Sequence, residues 1–278
     1  MPIFVKDKVI VVTGAAGGFG QLISLKAARL GAKLVCGDID AAGLEATLVQ
    51  IRAQGGLAES LLTDVTSLEQ MKALAEVAIA TFGRIDVMIN NVGVMPLAFW
   101  ADHAAASALW VRRLDINIKG VMNGIIAVYD PMIAQGRGHV INISSTYGNF
   151  PVAGAGIYGA TKAAVNFLSE SLRVESQGRI KVTTIRPTGV PATGLGGGVV
   201  NPAAIVGILG QNTGSYLATL AEMTSGEAPP EQADPASITY AALEPGFIAD
   251  AVIHAIAQPW GVSIGDITIR ASGDGYVL

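Results

Sequence analysis

Residues 9–20 read Val9-Ile10-Val11-Val12-Thr13-Gly14-Ala15-Ala16-Gly17-Gly18-Phe19-Gly20. A β-branched run without in/out alternation describes a strand buried on both faces of a parallel sheet. It stops in a glycine-rich turn and passes directly into the helical pattern of residues 19–30. Glycines there permit a tight turn and let the N–H groups at a helix N-terminus approach a pyrophosphate. The spacing departs from G-x-G-x-x-G, so taken alone the turn also fits a flexible β–α connection.

The same alternation continues along the chain. Further strands are expected at Lys33–Asp38, Ala58–Thr63, Asp86–Asn90, His139–Ser144, Lys181–Arg186 and Ser263–Ile269. Helices are expected at Phe19–Leu30, Ala42–Ala53, Leu68–Phe82, Val111–Ala134, Tyr158–Gln177 and Phe247–Ala257. Gly31 stands where a helix C′ glycine would, and Ser67 with Gln70 has the spacing of a capping box. Right-handed βαβ crossovers then predict an α/β, Rossmann-type doubly wound parallel sheet of about seven strands. Residues 1–278 read as one domain, with the ligand at the C-terminal ends of the strands. Thr188–Ala242 breaks the rhythm: it is rich in Gly and Pro, shows no strand pattern, and is longer than an ordinary connection. Apolar content at Leu195, Ile205–Leu209 and Tyr216–Leu220 argues against a disordered linker, so residues 188–242 are expected to form a helical substrate lid.

Composition narrows the classes. Hydrophobic residues make up 51% and charged residues 14% of the 278 positions, too apolar for disorder. The net charge of −4 and the lack of a basic stripe argue against nucleic acid as a partner. One cysteine, Cys36, cannot form an internal disulfide, and with three scattered histidines it cannot supply a Cys-rich metal site. No metal is expected. The N-terminus lacks a signal-peptide pattern and every long apolar run is interrupted, which predicts a cytoplasmic protein without a membrane partner.

Residues with chemical potential follow in order. Asp38 closes the second strand, where an acid accepts hydrogen bonds from adenosine ribose hydroxyls and repels a 2′-phosphate. Neither Ala15, Ala16 nor Ile39 offers a cation, so NAD is expected rather than NADP. Tyr158 and Lys162 are four apart and share a helix face. An ammonium beside a phenol favours the phenolate and lowers its pKa. The Gly261-Val262-Ser263-Ile264-Gly265 string imitates a hydrolase nucleophile elbow but has neither a following helix nor a later His.

Taken together, TGAAGGFG (13–20), Asp38, Asp64-Val65, NNVG (90–93), Asn117 within DINIKG, SSTYG (144–148), YGATK (158–162) and Arg186-Pro187 resemble the short-chain dehydrogenase/reductase (SDR) family over nearly the whole chain. The resemblance implies an NAD(P)-dependent oxidoreductase acting on an alcohol or carbonyl. It makes Tyr158 the acid/base, with Lys162 lowering its pKa and holding the nicotinamide ribose. Ser145 would bind the substrate oxygen, with Ser144 one place short, and Asn117 would hold a proton-relay water. For the cofactor, NAD, it implicates Gly14, Gly18, Phe19, Gly20, Asp38, Asp64, Val65, Asn91, Gly93, Pro187 and Val190, besides Tyr158 and Lys162. Val92, Phe19, Thr188 and Ala192 depart from the family's usual residues. The rival readings are an extended-type epimerase or dehydratase, and a non-catalytic NAD-sensing protein.

Two further expectations concern substrate and assembly. No Lys or Arg occurs between Arg186 and Arg270, so the lid suits a neutral, bulky hydrophobic secondary alcohol or ketone. Ile116, Ile118, Val121, Ile125, Ile126 and Val128 exceed what one sheet-facing surface needs, which predicts a homodimer or homotetramer.

Overall fold

A computed structural model describes residues 4–191 and 193–277. Its strands are β1 (Val9–Thr13), β2 (Lys33–Asp38), β3 (Leu57–Leu62), β4 (Val87–Asn90), β5 (Gly138–Ile143), β6 (Ile180–Pro187) and β7 (Asp266–Ile269). Its helices are α1 (Gly18–Arg29), α2 (Ala41–Ala53), α3 (Leu68–Phe82), α4 (His103–Leu114), α5 (Gly120–Ala134), α6 (Gly156–Glu175), α7 (Val206–Leu209), α8 (Thr213–Ser225), α9 (Pro230–Ala233) and α10 (Pro245–Ile256). The strands form one sheet in the order β3-β2-β1-β4-β5-β6-β7, and every neighbouring pair is parallel.

Side-chain burial explains this layering. Strands β1, β4 and β5 are buried throughout, as their unbroken apolar runs require, whereas the edges β3 and β7 are largely exposed. On one face Ile23, Leu48, Ile51, Ile248 and Val252 of α1, α2 and α10 cover the sheet. On the other, Met71, Leu74, Val128, Met132 and Leu172 of α3, α5 and α6 do so. β1 pairs with β2 on one side and β4 on the other. The chain reverses its winding there, which opens a crevice beyond the C-terminal strand ends. Cys36 on β2 is fully buried, its thiol 3.7 Å from Ser24 Oγ, and burial pushes the thiol up to about 12.

Several boundaries differ from the sequence reading. The expected helix at Val111–Ala134 starts earlier, at His103, because Ala104–Ala106 prolong it without an apolar period. It is also broken by a π turn at Asp115–Lys119. β7 begins at Asp266 rather than Ser263: Ile264 and Gly265 reach β6 only through single carbonyl contacts to Thr183 Oγ1 and Thr184 N. Ser67 Oγ accepts from Gln70 N at 3.3 Å, yet the box does not close, since Gln70 Oε1 accepts from Asp64 N at 2.7 Å. Gly31 does take the left-handed conformation beyond α1, at φ +83°.

Between β6 and α10 the chain forms short turns and α7, α8 and α9. The C-terminal tail returns across them, with Val277 N donating to Ile208 O at 3.0 Å and Asn212 Nδ2 to Gly275 O at 3.0 Å. Among the described residues, no helix is long and apolar enough to cross a membrane.

Candidate active site

The turn after β1 is held by backbone fit. Gly14 has φ +69°, and its N–H donates to Gly37 O at 2.8 Å. A Cβ on Gly20 would fall on the Gly14 carbonyl, so this helix packs where only glycine fits. Asn91, beyond β4, clamps the turn: its Nδ2 donates to Thr13 O at 3.0 Å and Gly14 O at 3.2 Å, leaving Oδ1 buried without a partner. α1 has no side-chain cap at Gly17, so its first-turn amides stay available to an anion. Gly17 and Gly18 have open space where a Cβ would stand. A pyrophosphate fits this cradle.

Asp38 closes the nucleotide end. One carboxylate oxygen accepts from Ala16 N at 2.9 Å, the other from Asp40 N at 3.1 Å, and the side chain lines the cleft beside Ile39 and Asp40. Gly14, Gly18, Phe19, Asn91, Gly93, Pro187 and Val190 line it too. Gly20 packs behind the wall. Asp64 Oδ1 accepts from Thr66 in its own turn, and Val65 packs beneath Gly120 and accepts from Asn123. Ala192 lies outside the described residues. Thr188 is buried, and its hydroxyl donates to Ile269 O at 3.1 Å.

The other end gathers side chains from β5 and α6. Ser145, Tyr158 and Lys162 line a cavity of about 970 Å³. Ser144 also touches the cavity, but its hydroxyl donates to Asn166 Oδ1 at 2.7 Å, a packing role that leaves Ser145 as the open hydroxyl. Tyr158 is 2% exposed, and Tyr147 meets its ring edge-on at 5.3 Å. Lys162 Nζ donates to Ile143 O at 2.9 Å and stands 5.8 Å from the Tyr158 ring centroid.

Burial pushes the Tyr158 phenol up to about 12, with Ser145 pulling it partly back, and burial pulls the Lys162 ammonium down to about 8. The lysine points at a carbonyl and is itself poorly solvated, so it does not offset the desolvation of the phenol.

Asn117 sits in the π turn and is 1% exposed. Its Oδ1 accepts from Val94 N at 2.9 Å, and its Nδ2 donates to Val94 O at 2.9 Å and Thr161 Oγ1 at 3.0 Å. The side chain therefore fastens the loop after β4 to α6 and does not line the cavity. Sequence motifs also missed part of the wall. Leu97 and Tyr276 line the cavity, and no periodicity or spacing marks them.

A model of the short chain dehydrogenase family matches residues 8–201. The chain belongs to that family. An uncharacterized oxidoreductase of Listeria monocytogenes is 37% identical to this SDR over 269 residues, covering 95% of this chain and 96% of that protein. A short chain dehydrogenase/reductase from Burkholderia phymatum in complex with NAD is 30% identical, with a TM-score of 0.73 over 95% of this chain and 89% of that one. A metagenomic short-chain oxidoreductase in complex with NADP is 29% identical, with a TM-score of 0.71 over 96% and 98%. This SDR is thus an oxidoreductase on a Rossmann-type nucleotide-binding fold, in a family that uses nicotinamide cofactors.

Proposed function

We propose that this SDR interconverts a neutral, bulky hydrophobic secondary alcohol and its ketone with NAD, and that Tyr158 is the acid/base. The observation that carries this reading is that Ser145, Tyr158 and Lys162 line one cavity with apolar residues of the lid segment, among them Leu195, Val199, Ile205, Ile208 and Leu220. Among the described lining residues Lys162 is the sole cation, and it is already bonded to a carbonyl, so an anionic substrate group finds no fixed partner. Asp38 and Asp40 at the opposite end favour NAD through repulsion of a 2′-phosphate.

Gly14, Gly18, Phe19 and Asn91 would hold the cofactor's phosphate side, and Gly93, Pro187 and Val190 the remainder. When bound, the nicotinamide supplies or accepts the hydride. Ser145 hydrogen-bonds the substrate oxygen, and Tyr158 gives a proton to that oxygen in reduction or takes one in oxidation. Its burial-raised pKa keeps the phenol protonated near neutrality, the form reduction uses. Oxidation needs the phenolate, whose fraction grows with pH, so oxidation should quicken as pH rises while reduction slows. Asn117 acts as a positioning residue through Val94 and Thr161. Residues 188–242 serve as the lid that excludes water.

Assembly belongs to the same proposal. Val128 packs in the core beneath the sheet and Val121 is buried, but Leu109, Val111, Met122, Ile126 and Phe167 are exposed on α4, α5 and α6, a surface suited to a homodimer or homotetramer. The function is tested by following NADH formation over secondary alcohols graded by bulk and charge. Faster turnover of small hydroxy acids than of alicyclic or aryl alcohols would overturn the substrate class.

A further inference from the structure

Part of the cavity wall is a hydrogen-bonded tyrosine pair that the chemistry above leaves unused. Tyr216 on α8 and Tyr276 in the C-terminal tail meet hydroxyl to hydroxyl at 3.0 Å, with ring centroids 5.5 Å apart and 49° between planes. Both line the cavity that contains Ser145 and Tyr158. They pack among Leu97, Val199, Ile205, Ile208 and Leu220, with Tyr147 in the same cluster and Asp274 beside Tyr276.

The pair is not required to fasten the tail. Val277 N donates to Ile208 O, Asn212 Nδ2 to Gly275 O, and Arg270 Nη2 to Asp274 Oδ1 at 2.7 Å. Thr188 Oγ1 lies 3.4 Å from the other Asp274 oxygen. Backbone fit also fixes the Tyr276 ring: a Cβ on Gly189 would strike it, so the ring lies directly on the loop that follows Pro187.

The hydrogen-bond inventory is then incomplete. Two hydroxyls carry two hydrogens, and one of these is used between them. Among the described residues the second hydrogen has no acceptor. A donor held in an apolar wall points to a ligand oxygen, because leaving it unmet costs free energy. Burial keeps both phenols neutral, and Asp274 beside Tyr276 disfavours a second negative charge.

We propose that Tyr216 and Tyr276 form a second recognition point, which holds an uncharged oxygen on the substrate away from the oxygen that reacts at Ser145 and Tyr158. The ligand class is a neutral, ring-containing ketone or alcohol that carries a further hydroxyl, carbonyl or ether oxygen. This deepens the proposed function and rests on its placing the reacting oxygen at Tyr158.

The test compares hydroxydecalone with decalone, the same ring system with and without the extra oxygen, on NAD- or NADH-saturated protein. Binding is read by calorimetry and turnover by NADH absorbance. The native protein should prefer hydroxydecalone by about tenfold in Kd or KM, the effect of one neutral hydrogen bond. The double variant Tyr216→Phe/Tyr276→Phe, which removes both hydroxyl hydrogens, should erase that preference by raising the Kd or KM for hydroxydecalone to that for decalone, a substrate-selective loss that a merely structural role would not give. Binding of neither compound, no preference in the native protein, a preference that survives in the double variant, or an equal loss for both compounds overturns the inference. Preferential binding without turnover would instead overturn the redox reading and leave the recognition point standing. Turnover without preference would do the reverse.

Discussion

The two ends of the cleft are built from different materials. The nucleotide end is made of backbone: a glycine turn, the open amides of α1, and carbonyls clamped by Asn91. All of it comes from residues close together in sequence or paired in register across β1, β2 and β4. The substrate end is made of side chains gathered from β5, α6, α8 and the tail. Where the site is built of backbone, as at Gly14 and Gly20, an added atom collides with the chain itself. A side-chain-built site can change its chemistry one residue at a time on an unchanged frame.

The largest expected effect tests whether the ends are separable. Tyr158→Phe should lower kcat by ~10²–10⁴-fold while NAD affinity is kept, as measured by steady-state kinetics and cofactor titration. Loss of NAD binding in that variant would show that the two ends are one unit. Next comes steric tolerance. Gly20→Ala should cost about 1–3 kcal/mol through collision with Gly14 and weaken NAD binding. Gly196→Ala, which meets open space in the lid segment, should stay within about 0.5 kcal/mol, both read from thermal or denaturant unfolding. Equal costs would erase the contrast.

A smaller effect concerns charge at the nucleotide end. Asp38→Asn keeps an acceptor for Ala16 N but removes the repulsion of a phosphate. The NADP-to-NAD ratio of kcat/KM should rise by about tenfold, equivalent to ~1.4 kcal/mol. The smallest lies beneath both ends. Thr183 gives its only hydrogen to Ile264 O, so it accepts from His139 Nε2 at 2.8 Å and the ring is neutral, with Nδ1 buried and unpartnered. Burial holds this histidine well below its usual pKa, with Lys181 and Lys8 adding to the effect. The unfolded chain therefore binds the extra proton more readily, and stability should fall as pH drops below about 6.5. His139→Gln should flatten that slope in melts taken across the range.

The same contrast accounts for what could be read from residues alone. The parallel strands and the glycine turn follow from local period and turn chemistry, which is why Val9–Gly20 sufficed to place β1 and α1. Ser145, Tyr158 and Lys162 were legible because one strand and one helix carry them at short range. The π turn around Asn117 leaves no trace in apolar periodicity, since it alters the hydrogen-bond ladder and not the pattern. Tyr276 reaches the cavity only because the tail folds back over α7 and α8, a long-range event that its neighbours in sequence do not encode. The altered pKa order of Tyr158 and Lys162 likewise depends on depth, which spacing does not report.

Cys36 has a use that follows from where β2 lies. Its thiol is sealed between the sheet and α1 and is held in the protonated, unreactive form. A bulky disulfide reagent can reach it only when α1 lifts from the sheet, so the labelling rate counts those openings. As α1 also carries the open amides of the glycine turn, the same clock reads how often the nucleotide cradle comes apart. Occupancy of that cradle should slow the clock in proportion to ligand concentration. The native chain thus carries its own built-in gauge of cofactor binding, with no label added elsewhere.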